Sequence, residues 1–372
     1  MGAVLILLEH GPGGPALFDA ALEVVSALTL AEVVPALQRL DAARAAGFWV
    51  AGWLGYEAGL AFEPRLHGLV RGDGPLLQFG VYRGPQAFAV VGGTARLGVL
   101  TPLVSQPEYF AAFDRVQAYI AAGDCYQVNL TFPLETELVQ GSALDLYAAL
   151  RARGAVGYGA YVDLGGPVLV SRSPELFLRL DAGGRIECRP MKGTAPRDAD
   201  PVEDARLAEA LRASAKDRAE NLMIVDLLRN DISRLSQVGS VKVPELFHVE
   251  SYATVHQMVS RITGQLVEPA SISGVMAALF PCGSLTGAPK LRAMQIIAEV
   301  EPFARGAYCG AIGWMGPDGA ACFNVAIRTL TLDGSRVRLN VGGGITHGST
   351  ALGEWEEALW KTRYLRGLTS PR

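Results

Sequence analysis

The segment YCGAIGWMGPDGAACFNVAIRTLTLDGSRVRLNV, residues 308–341, decides the fold class of this chain. Its apolar stretches are Tyr308–Met315, Ala321–Leu332 and Arg336–Val341, and the turn sequences Gly316-Pro317-Asp318-Gly319 and Asp333-Gly334-Ser335 separate them. Short apolar runs joined by turns rich in Gly, Pro and Asp are typical of antiparallel strands. The segment therefore predicts a three-stranded meander.

Hairpin patterns also dominate the rest of the chain. The turn sequence Asp181-Ala182-Gly183-Gly184 lies between the apolar runs Leu176-Phe177-Leu178 and Ile186-Glu187-Cys188, and short strands are expected at Trp49–Trp53, Leu77–Val81 and Tyr126–Thr131. Helical patterns cover Leu30–Ala46, Pro107–Ala122, Pro201–Arg229, Lys290–Val300 and a final stretch from Gly353. Strands and helices do not alternate regularly, so we expect an α+β fold with antiparallel sheets rather than a doubly wound parallel one.

The composition indicates a large, well-buried core. The chain has 372 residues, of which 50% are hydrophobic and 19% charged, and its net charge is −4. This charge provides no basic field for nucleic acid, and no apolar run reaches the roughly 20 residues that span a bilayer. We expect one large domain, in which residues 1–100 form an N-terminal lobe and residues 101–372 form the catalytic part.

The cysteines point to packing rather than to disulfide or metal chemistry. There are five, Cys125, Cys188, Cys282, Cys309 and Cys322, and none lies in a C-x-x-C pattern. An odd number of scattered cysteines argues against a disulfide framework and against a zinc site. We therefore expect free thiols and a location in the reducing cytoplasm.

A carboxylic acid and an amine are expected at the open end of the hairpin around Asp181-Ala182-Gly183-Gly184. Counting outward from this turn places Glu175 opposite Met191 or its neighbours, and hence close to Lys192. Enzymes position an acid and a nucleophile on rigid strands in this way. A cross-strand ion pair is the alternative that these residues alone leave open.

The ends of the predicted meander bring together groups that suit a carboxylate. Pairing across its two turns places Tyr308, Arg328 and the glycine triplet Gly342-Gly343-Gly344 at one end of the sheet. An arginine fork, a phenol and bare backbone N–H groups of a loop can together bind a carboxylate. An edge arginine beside an ordinary glycine turn is the competing interpretation.

The last predicted helix contains carboxylates at helical spacing. Glu354, Glu357 and Lys361 lie on one face of this helix, and Asp217 or Glu220 on the long helix would add a further acid. Such a stripe is usually a solvated face. It also suits Mg²⁺, which takes one or two carboxylates and leaves its other positions to water or ligand oxygens.

Together these segments resemble the chorismate-utilising enzymes, the family that includes the anthranilate synthases. The resemblance covers about the C-terminal 270 residues, in family order. The matching stretches are Tyr126–Leu130, Ser173–Phe177, Pro190–Thr194, Glu220–Asp231, Gly283–Lys290, Ala326–Thr329 and Gly342–Lys361.

The resemblance implies a fold and a substrate. The fold would consist of two large antiparallel sheets that form a sandwich-like core flanked by helices, with chorismate in the cleft between the sheets. Glu175 would be the general acid, and His256 would lie near the departing C4 hydroxyl. The other implied roles are Mg²⁺ binding by Glu220, Glu354 and Glu357, binding of the enolpyruvyl carboxylate by Tyr308, Arg328, Gly342, Gly343 and Gly344, and further substrate contacts by Gln127, Thr194 and Lys361.

Two positions sort the members of this family. Water-using members have a lysine base where this chain has Gln127, so attack by water is disfavoured. Anthranilate synthases typically have an alanine where this chain has Lys192. A lysine there resembles the aminodeoxychorismate synthase branch. In that branch the lysine is thought to attack C2 of the ring as the C4 hydroxyl departs. Ammonia then attacks C4 and expels the lysine.

The same resemblance implies a heterodimer in which a separate glutamine amidotransferase subunit supplies ammonia. Three alternatives stay open. An anthranilate synthase would release pyruvate, an isochorismate synthase would not need ammonia, and a non-catalytic binding protein would leave chorismate unchanged.

Overall fold

The computed structural model describes residues 4–88, 92–252 and 255–370, and these residues form an α+β fold. The strands are β1 Leu5–Leu8, β2 Ala16–Asp19, β3 Glu23–Ala27, β4 Trp49–Leu54, β5 Leu77–Tyr82, β6 Gln86–Ala87, β7 Arg96–Leu97, β8 Thr101–Pro102, β9 Gln127–Gln140, β10 Tyr158–Asp163, β11 Val168–Ser173, β12 Leu176–Leu180, β13 Arg185–Arg189, β14 Met191–Pro196, β15 Lys242–Ser251, β16 Val255–Gln265, β17 Gly287–Ala288, β18 Ala311–Met315, β19 Ala321–Val325, β20 Thr329–Asp333 and β21 Arg336–Ile345. The α-helices are α1 Leu30–Ala45, α2 Gln106–Ala121, α3 Ala143–Arg151, α4 Pro201–Ala213, α5 Ala215–Ser233, α6 Ile272–Leu279, α7 Lys290–Val300 and α8 Ala351–Trp360. Short 3₁₀ helices span Tyr56–Phe62, Pro64–Leu69, Gly283–Leu285 and Lys361–Leu365.

The strands form two large antiparallel sheets. In sheet A the order is β17-β9-β21-β20-β11-β10-β1-β2-β6, with β7 and β8 also paired to β9. In sheet B the order is β14-β16-β13-β12-β19-β18-β4-β5-β3, with β15 also paired to β16. The α+β fold and the two antiparallel sheets expected from the sequence are therefore confirmed. Among the described helices, none is long and apolar enough to cross a membrane.

Four layers bury the apolar side chains. Ile6, Trp53, Leu169 and Ile312 belong to a core between the two sheets. Helices α1, α5 and α6 cover the other face of sheet B, while α2, α3, α7 and α8 cover the other face of sheet A. All five cysteines are buried with free thiols, so the prediction that they are packing residues is confirmed.

The first hundred residues contribute strands to both sheets. Strands β1, β2 and β6 lie in sheet A, and β3, β4 and β5 lie in sheet B. Residues Val50–Leu54 of strand β4 pair with the whole of β18 in the C-terminal meander. The division into an N-terminal lobe and a catalytic part stays a prediction.

The predicted strand Ala321–Leu332 is wrong in one respect, because it is two strands in different sheets. Its first half is β19 in sheet B and its second half is β20 in sheet A. The chain crosses between the sheets at residues 326–328, where Arg328 has a φ of 49°. A side chain other than glycine is uncommon in this left-handed region. No glycine or proline marks the crossing in the sequence, so the apolar pattern predicts one continuous strand.

The predicted long helix Pro201–Arg229 is also two elements. Helix α4 ends before Ser214, and α5 begins after it. The Ser214 side chain accepts a hydrogen bond from the Asp217 backbone N–H, which makes it the N-cap of α5. A serine that caps a new helix competes with continuation of the old one.

Candidate functional site

Glu175 and Arg328 both lie where the chain crosses from one sheet to the other. Glu175 lies between β11 of sheet A and β12 of sheet B, and Arg328 lies between β19 of sheet B and β20 of sheet A. Backbone bonds hold the two crossings side by side: Val325 N–H donates to the Glu175 carbonyl at 3.1 Å, and Arg172 N–H donates to the Arg328 carbonyl at 2.9 Å. A carboxylic acid and a cationic residue therefore lie on neighbouring segments where the chain passes between the two sheets.

The Glu175 carboxyl is buried, with one direct side-chain partner. Its exposed fraction is 4%, and Ser284 Oγ donates a hydrogen bond to Glu175 Oε1 at 2.8 Å. Burial raises the pKa of Glu175 to about 7, although Ser284, Lys192 and the Met191 backbone N–H act in the opposite direction. The acid is thus half protonated near neutral pH, which suits a general acid.

Lys192 lies beside this acid, as counting from the hairpin turn predicted. Leu176 pairs with Arg189, so that the next residues on either side, Glu175 and those from Pro190 onward, share the open end of the hairpin. Burial lowers the pKa of Lys192, while the charges of Glu175 and Glu220 raise it. The net lowering increases the fraction of neutral, nucleophilic amine.

Gln127 points into the same space. Its side chain is fully buried, and neither its Nε2 nor its Oε1 has a hydrogen-bond partner among the described residues. A Cβ atom added at Gly344 would lie 2.9 Å from Gln127 Nε2 and 3.3 Å from Lys192 Nζ. A buried amide with both of its polar atoms unpaired is costly, so these atoms are suited to hydrogen bonds with a polar ligand.

The glycine triplet is part of a strand, which corrects the predicted loop. Gly342–Gly344 belong to β21 and pair with Asn129–Thr131 of β9. Strand β20 pairs with Arg336–Leu339 only, so residues 340–345 extend beyond it. The lack of side chains opens room beside the backbone: a Cβ atom at Gly343 would lie 2.6 Å from Glu354 Oε2.

Arg328 provides a positive charge without a bonded partner. Its guanidinium donates no hydrogen bond and forms no ion pair within the part of the chain that the structure describes. Burial lowers its pKa, and its electrostatic neighbours are Tyr364 and Glu175. The backbone of Tyr308 is close to this segment, because the N–H of the next residue, Cys309, donates a hydrogen bond to the Ala326 carbonyl. The Tyr308 phenol, however, has Cys309 and Arg305 as its electrostatic neighbours. A buried, unpaired guanidinium is a receptor for an anion.

Carboxylates and lysines surround the opposite side of the glycine strand. Lys361 Nζ donates to the Gly342 carbonyl at 2.7 Å and forms an ion pair with Glu357 Oε1 at 2.9 Å. Burial raises the pKa of Glu354, and the charge of Glu357 raises it further. Burial would also raise the pKa of Glu357, but the neighbouring Lys361 lowers it overall. The predicted acidic stripe of α8 therefore faces the glycine strand.

Glu220 on α5 belongs to the same electrostatic group. Burial raises its pKa, and Asp217 and Glu357 add to this effect. The charge of Glu357 raises the pKa of both Glu220 and Glu354, and this repulsion is what a cation would relieve. No three carboxylate, histidine or cysteine side chains are arranged as a complete metal site within the described residues. The donor set therefore fits Mg²⁺ held by one or two carboxylates, with water or substrate oxygens in its other positions.

Two of the residues expected in the site lie at its margin. Thr194 is exposed, and its hydroxyl donates to Gln257 Oε1 at 3.1 Å. His256 is buried, with Nε2 2.9 Å from Asp204 Oδ1 and Nδ1 2.8 Å from Ser251 Oγ. Both ring nitrogens are therefore engaged away from Lys192. The roles expected for these two residues stay predictions.

The structure adds two residues that the sequence did not reveal. Ser284, in the 3₁₀ turn Gly283–Leu285, bonds to the acid, and the buried Tyr364 hydroxyl near Arg328 has no described partner. Ser284 lies 109 positions from Glu175, and no local pattern connects them. Only the assembled fold brings such residues together.

Comparison with known proteins identifies a family that matches most of the chain. The family model described as "chorismate binding enzyme" matches residues 86–367. The chain is 48% identical over 255 residues to the aminodeoxychorismate synthase of Streptomyces griseus, a match that covers 68% of this chain and 35% of the relative. It is 45% identical over 258 residues to aminodeoxychorismate synthase component 1 of Escherichia coli, covering 69% of this chain and 56% of the relative.

The fold has also been seen before. The solved anthranilate synthase component I of Streptococcus pneumoniae superimposes with a TM-score of 0.78 at 24% identity, over 98% of this chain and 90% of the other. The chain spans 35% and 56% of the lengths of the two curated relatives given above. The family model nevertheless covers most of it, including every element that forms the site. The chain therefore belongs to the family of chorismate binding enzymes.

Proposed function

We propose that this protein is the chorismate-aminating subunit of an aminodeoxychorismate synthase, which converts chorismate and ammonia to 4-amino-4-deoxychorismate. The observation that carries the proposal is the partly buried Lys192 beside the buried acid Glu175. The two relatives described above are both named for this activity. A lysine here supplies a nucleophile that a small apolar side chain at the same position would lack.

In the proposed reaction the two residues act at different ring positions, Lys192 at C2 and Glu175 at C4. The neutral Lys192 amine attacks C2 of the ring, the ring double bonds shift, and the C4 hydroxyl leaves with the proton of Glu175 as water. Ammonia then attacks C4, the double bonds shift back, and the bond between C2 and Lys192 breaks. One proton from the added ammonia returns to Glu175, so that the acid is regenerated.

Other residues of the site would hold the substrate. The unpaired guanidinium of Arg328 is suited to a carboxylate, which it can grip with two parallel hydrogen bonds. The unpaired amide of Gln127 can both donate and accept. It cannot act as a base, so this residue does not activate water for attack. The glycines of β21 leave room for the ring to approach the backbone.

Glu220, Glu354 and Glu357 are the residues that would hold Mg²⁺. When bound, the ion would neutralise a substrate carboxylate next to these acids. Without the ion, Lys361 already neutralises one of these carboxylates, because its Nζ forms an ion pair with Glu357 Oε1 at 2.9 Å.

Anthranilate synthase activity is the second candidate, because the solved structure with the same fold has that name. Its product would have lost the enolpyruvyl group as pyruvate. A glutamine amidotransferase subunit is the proposed source of ammonia, and the designation "component 1" of the Escherichia coli relative supports a two-component enzyme.

The test is incubation of the purified protein with chorismate, Mg²⁺ and an ammonium salt, with the products identified by mass. The proposal expects 4-amino-4-deoxychorismate and no pyruvate. Anthranilate with an equal amount of pyruvate would replace it with the second candidate. Isochorismate formed without ammonium, or chorismate recovered unchanged, would contradict both.

A further inference from the structure

Ser260 of β16 is a buried point at which three elements meet. Its hydroxyl donates to Asn221 Oδ1 of α5 at 2.6 Å and accepts from the Phe247 backbone N–H of β15 at 3.0 Å. Its own backbone N–H donates to the Pro190 carbonyl at 3.2 Å. Ser260 and Asn221 are both fully buried. One serine therefore connects α5 to Pro190, the residue just before the strand that contains Lys192.

The partner strand is distorted at this point. Phe247 has a φ of 58°, and the pairing register between β15 and β16 shifts between Glu245 and His248. A bulky side chain in the left-handed region is strained, and such strain persists only where surrounding contacts hold it. The Arg218 guanidinium lies over the Phe247 ring, with its Cζ atom 4.8 Å from the ring centroid. This second contact connects the bulge to α5.

These contacts lie next to a residue of the proposed metal site. Asn221 follows Glu220 directly, and Arg218 precedes it by two positions. On the same turn of α5, Asp217 packs against Gly193, where a Cβ atom would lie 2.9 Å from the Asp217 side chain. Rotation of α5 about its axis would therefore break these contacts and would move Glu220 relative to Lys192.

The Asn221 amide also shows that the contact is more than packing. Its Nδ2 is buried and has no hydrogen-bond partner among the described residues. An apolar side chain would fill this place without leaving a donor unpaired. What the asparagine adds is a directional bond, and such a bond fixes orientation in a way that apolar contacts do not.

We propose that Ser260 and Asn221 are positioning residues that set the rotation of α5 and thereby hold the Glu220 carboxylate in the metal site. The proposal deepens the proposed function and rests on it, because it assumes that Glu220 holds the cation. Neither residue touches the substrate.

The test measures cation affinity without substrate. Binding of Mn²⁺ to the complete protein is titrated by electron paramagnetic resonance for the native protein and for Asn221→Ala, Ser260→Ala and Glu220→Gln. We expect Asn221→Ala and Ser260→Ala to weaken binding about tenfold, as outer-shell partners of metal ligands typically do. Ser236→Ala is the matched control, because it removes another buried serine hydroxyl that has no described partner.

The variants distinguish the positioning role of Ser260 and Asn221 from the assignment of Glu220 to the metal site. Weaker Mn²⁺ binding in Asn221→Ala and Ser260→Ala but not in Ser236→Ala supports the positioning role. If Glu220→Gln weakens binding but Asn221→Ala does not, the positioning role is wrong while the metal site stands. If Glu220→Gln leaves the affinity unchanged, the metal assignment itself is wrong. Should Ser260→Ala fail to fold, Asn221→Ala decides the question, because it removes the unpaired Nδ2 and leaves the Ser260–Phe247 bond in place.

Discussion

At the scale of single residues, the site contains an acid and an amine that the same environment shifts in opposite directions. Burial raises the pKa of Glu175 to about 7 and lowers the pKa of Lys192. Burial disfavours the charged form of each group, so a carboxyl keeps its proton longer and an amine loses it sooner. Burial thus favours the neutral acid and the neutral amine that the proposed reaction needs.

Ser284 tunes this acid, and its removal gives a signed prediction. The hydrogen bond from Ser284 stabilises the Glu175 carboxylate and so lowers its pKa. In Ser284→Ala the pKa of the acid should rise. The alkaline limb of the kcat–pH profile should then move to higher pH by roughly one to two units, since a hydrogen bond to a charged group is worth about 1.5–3 kcal/mol.

The conservative variant Ser284→Thr keeps the hydroxyl and should keep the native profile. An alkaline limb that stays in place in Ser284→Ala would show that Glu175 is not the group whose protonation limits turnover.

The sequence predicts some of the contacts in the site but not all of them. Counting from the hairpin turn placed Glu175 beside Lys192, because register in a short hairpin follows from its turn. Ser284 could not be found in this way. It lies 109 positions from Glu175 in the sequence. The hydrogen bond forms only because the 3₁₀ turn that contains Ser284 packs against the segment that connects the two sheets at Glu175.

At the scale of elements, the chain crosses between the sheets twice in the same place. Strands β11 and β12 form one crossing and β19 and β20 the other, and the neighbouring strands pair in both sheets. The strand pattern of the meander was predictable because alternation and turns are local. The change of sheet was not, because the residues from Ala326 to Arg328 continue an apolar run without a glycine or proline.

Helix α8 offers a test of the acidic stripe. Glu354 and Glu357 lie on its polar side, while Trp355 and Ala358 belong to the core. Glu357→Ala should raise the Mg²⁺ concentration for half-maximal activity about tenfold or more, as loss of a ligand or its close partner typically does. Its free energy of unfolding should change by less than about 0.5 kcal/mol, the usual range for surface substitutions.

Glu356→Ala, on the exposed side of the same helix, is the matched control for that measurement. Native magnesium dependence in Glu357→Ala would remove this residue from the proposed metal site. A large loss of stability in the same variant would mean that its role is structural.

At the scale of the whole molecule, the site requires a buried ionisable group where the chain passes between the two sheets, and this has a cost in stability. The pKa of Glu175 is about 7 in the folded protein, above the ordinary value of 4.5 for a glutamate. A raised folded pKa contributes stability that is complete below about pH 4.5 and is lost as the pH rises through about 7. The site therefore destabilises the fold more at alkaline than at acidic pH.

Glu175→Gln should remove this dependence, because glutamine resembles the protonated acid and cannot ionise. Between pH 5 and pH 8 the stability of the variant relative to the native protein should rise by on the order of 2 kcal/mol. Urea unfolding at the two pH values measures it, with Glu356→Gln as the control at an exposed position. Equal differences at both pH values would contradict the raised pKa of Glu175.

The overall architecture was the part that sequence patterns and resemblance predicted best. Hairpin signals along the chain indicated antiparallel sheets, and the resemblance implied two of them with a cleft between. Which residues fill that cleft depends on long-range packing. Thr194 and His256 match the family by position, yet their side chains bond to Gln257, Asp204 and Ser251.

The central claim is that Lys192 forms a covalent bond to C2 of the ring. The most direct measurement incubates the native protein and Lys192→Ala with chorismate and Mg²⁺ without ammonia, and then analyses the peptide that contains residue 192 by mass spectrometry. The account predicts an adduct on the native peptide only. It also predicts that, when ammonia is added, Lys192→Ala loses most of its 4-amino-4-deoxychorismate. Full-rate formation of 4-amino-4-deoxychorismate by Lys192→Ala would contradict the claim.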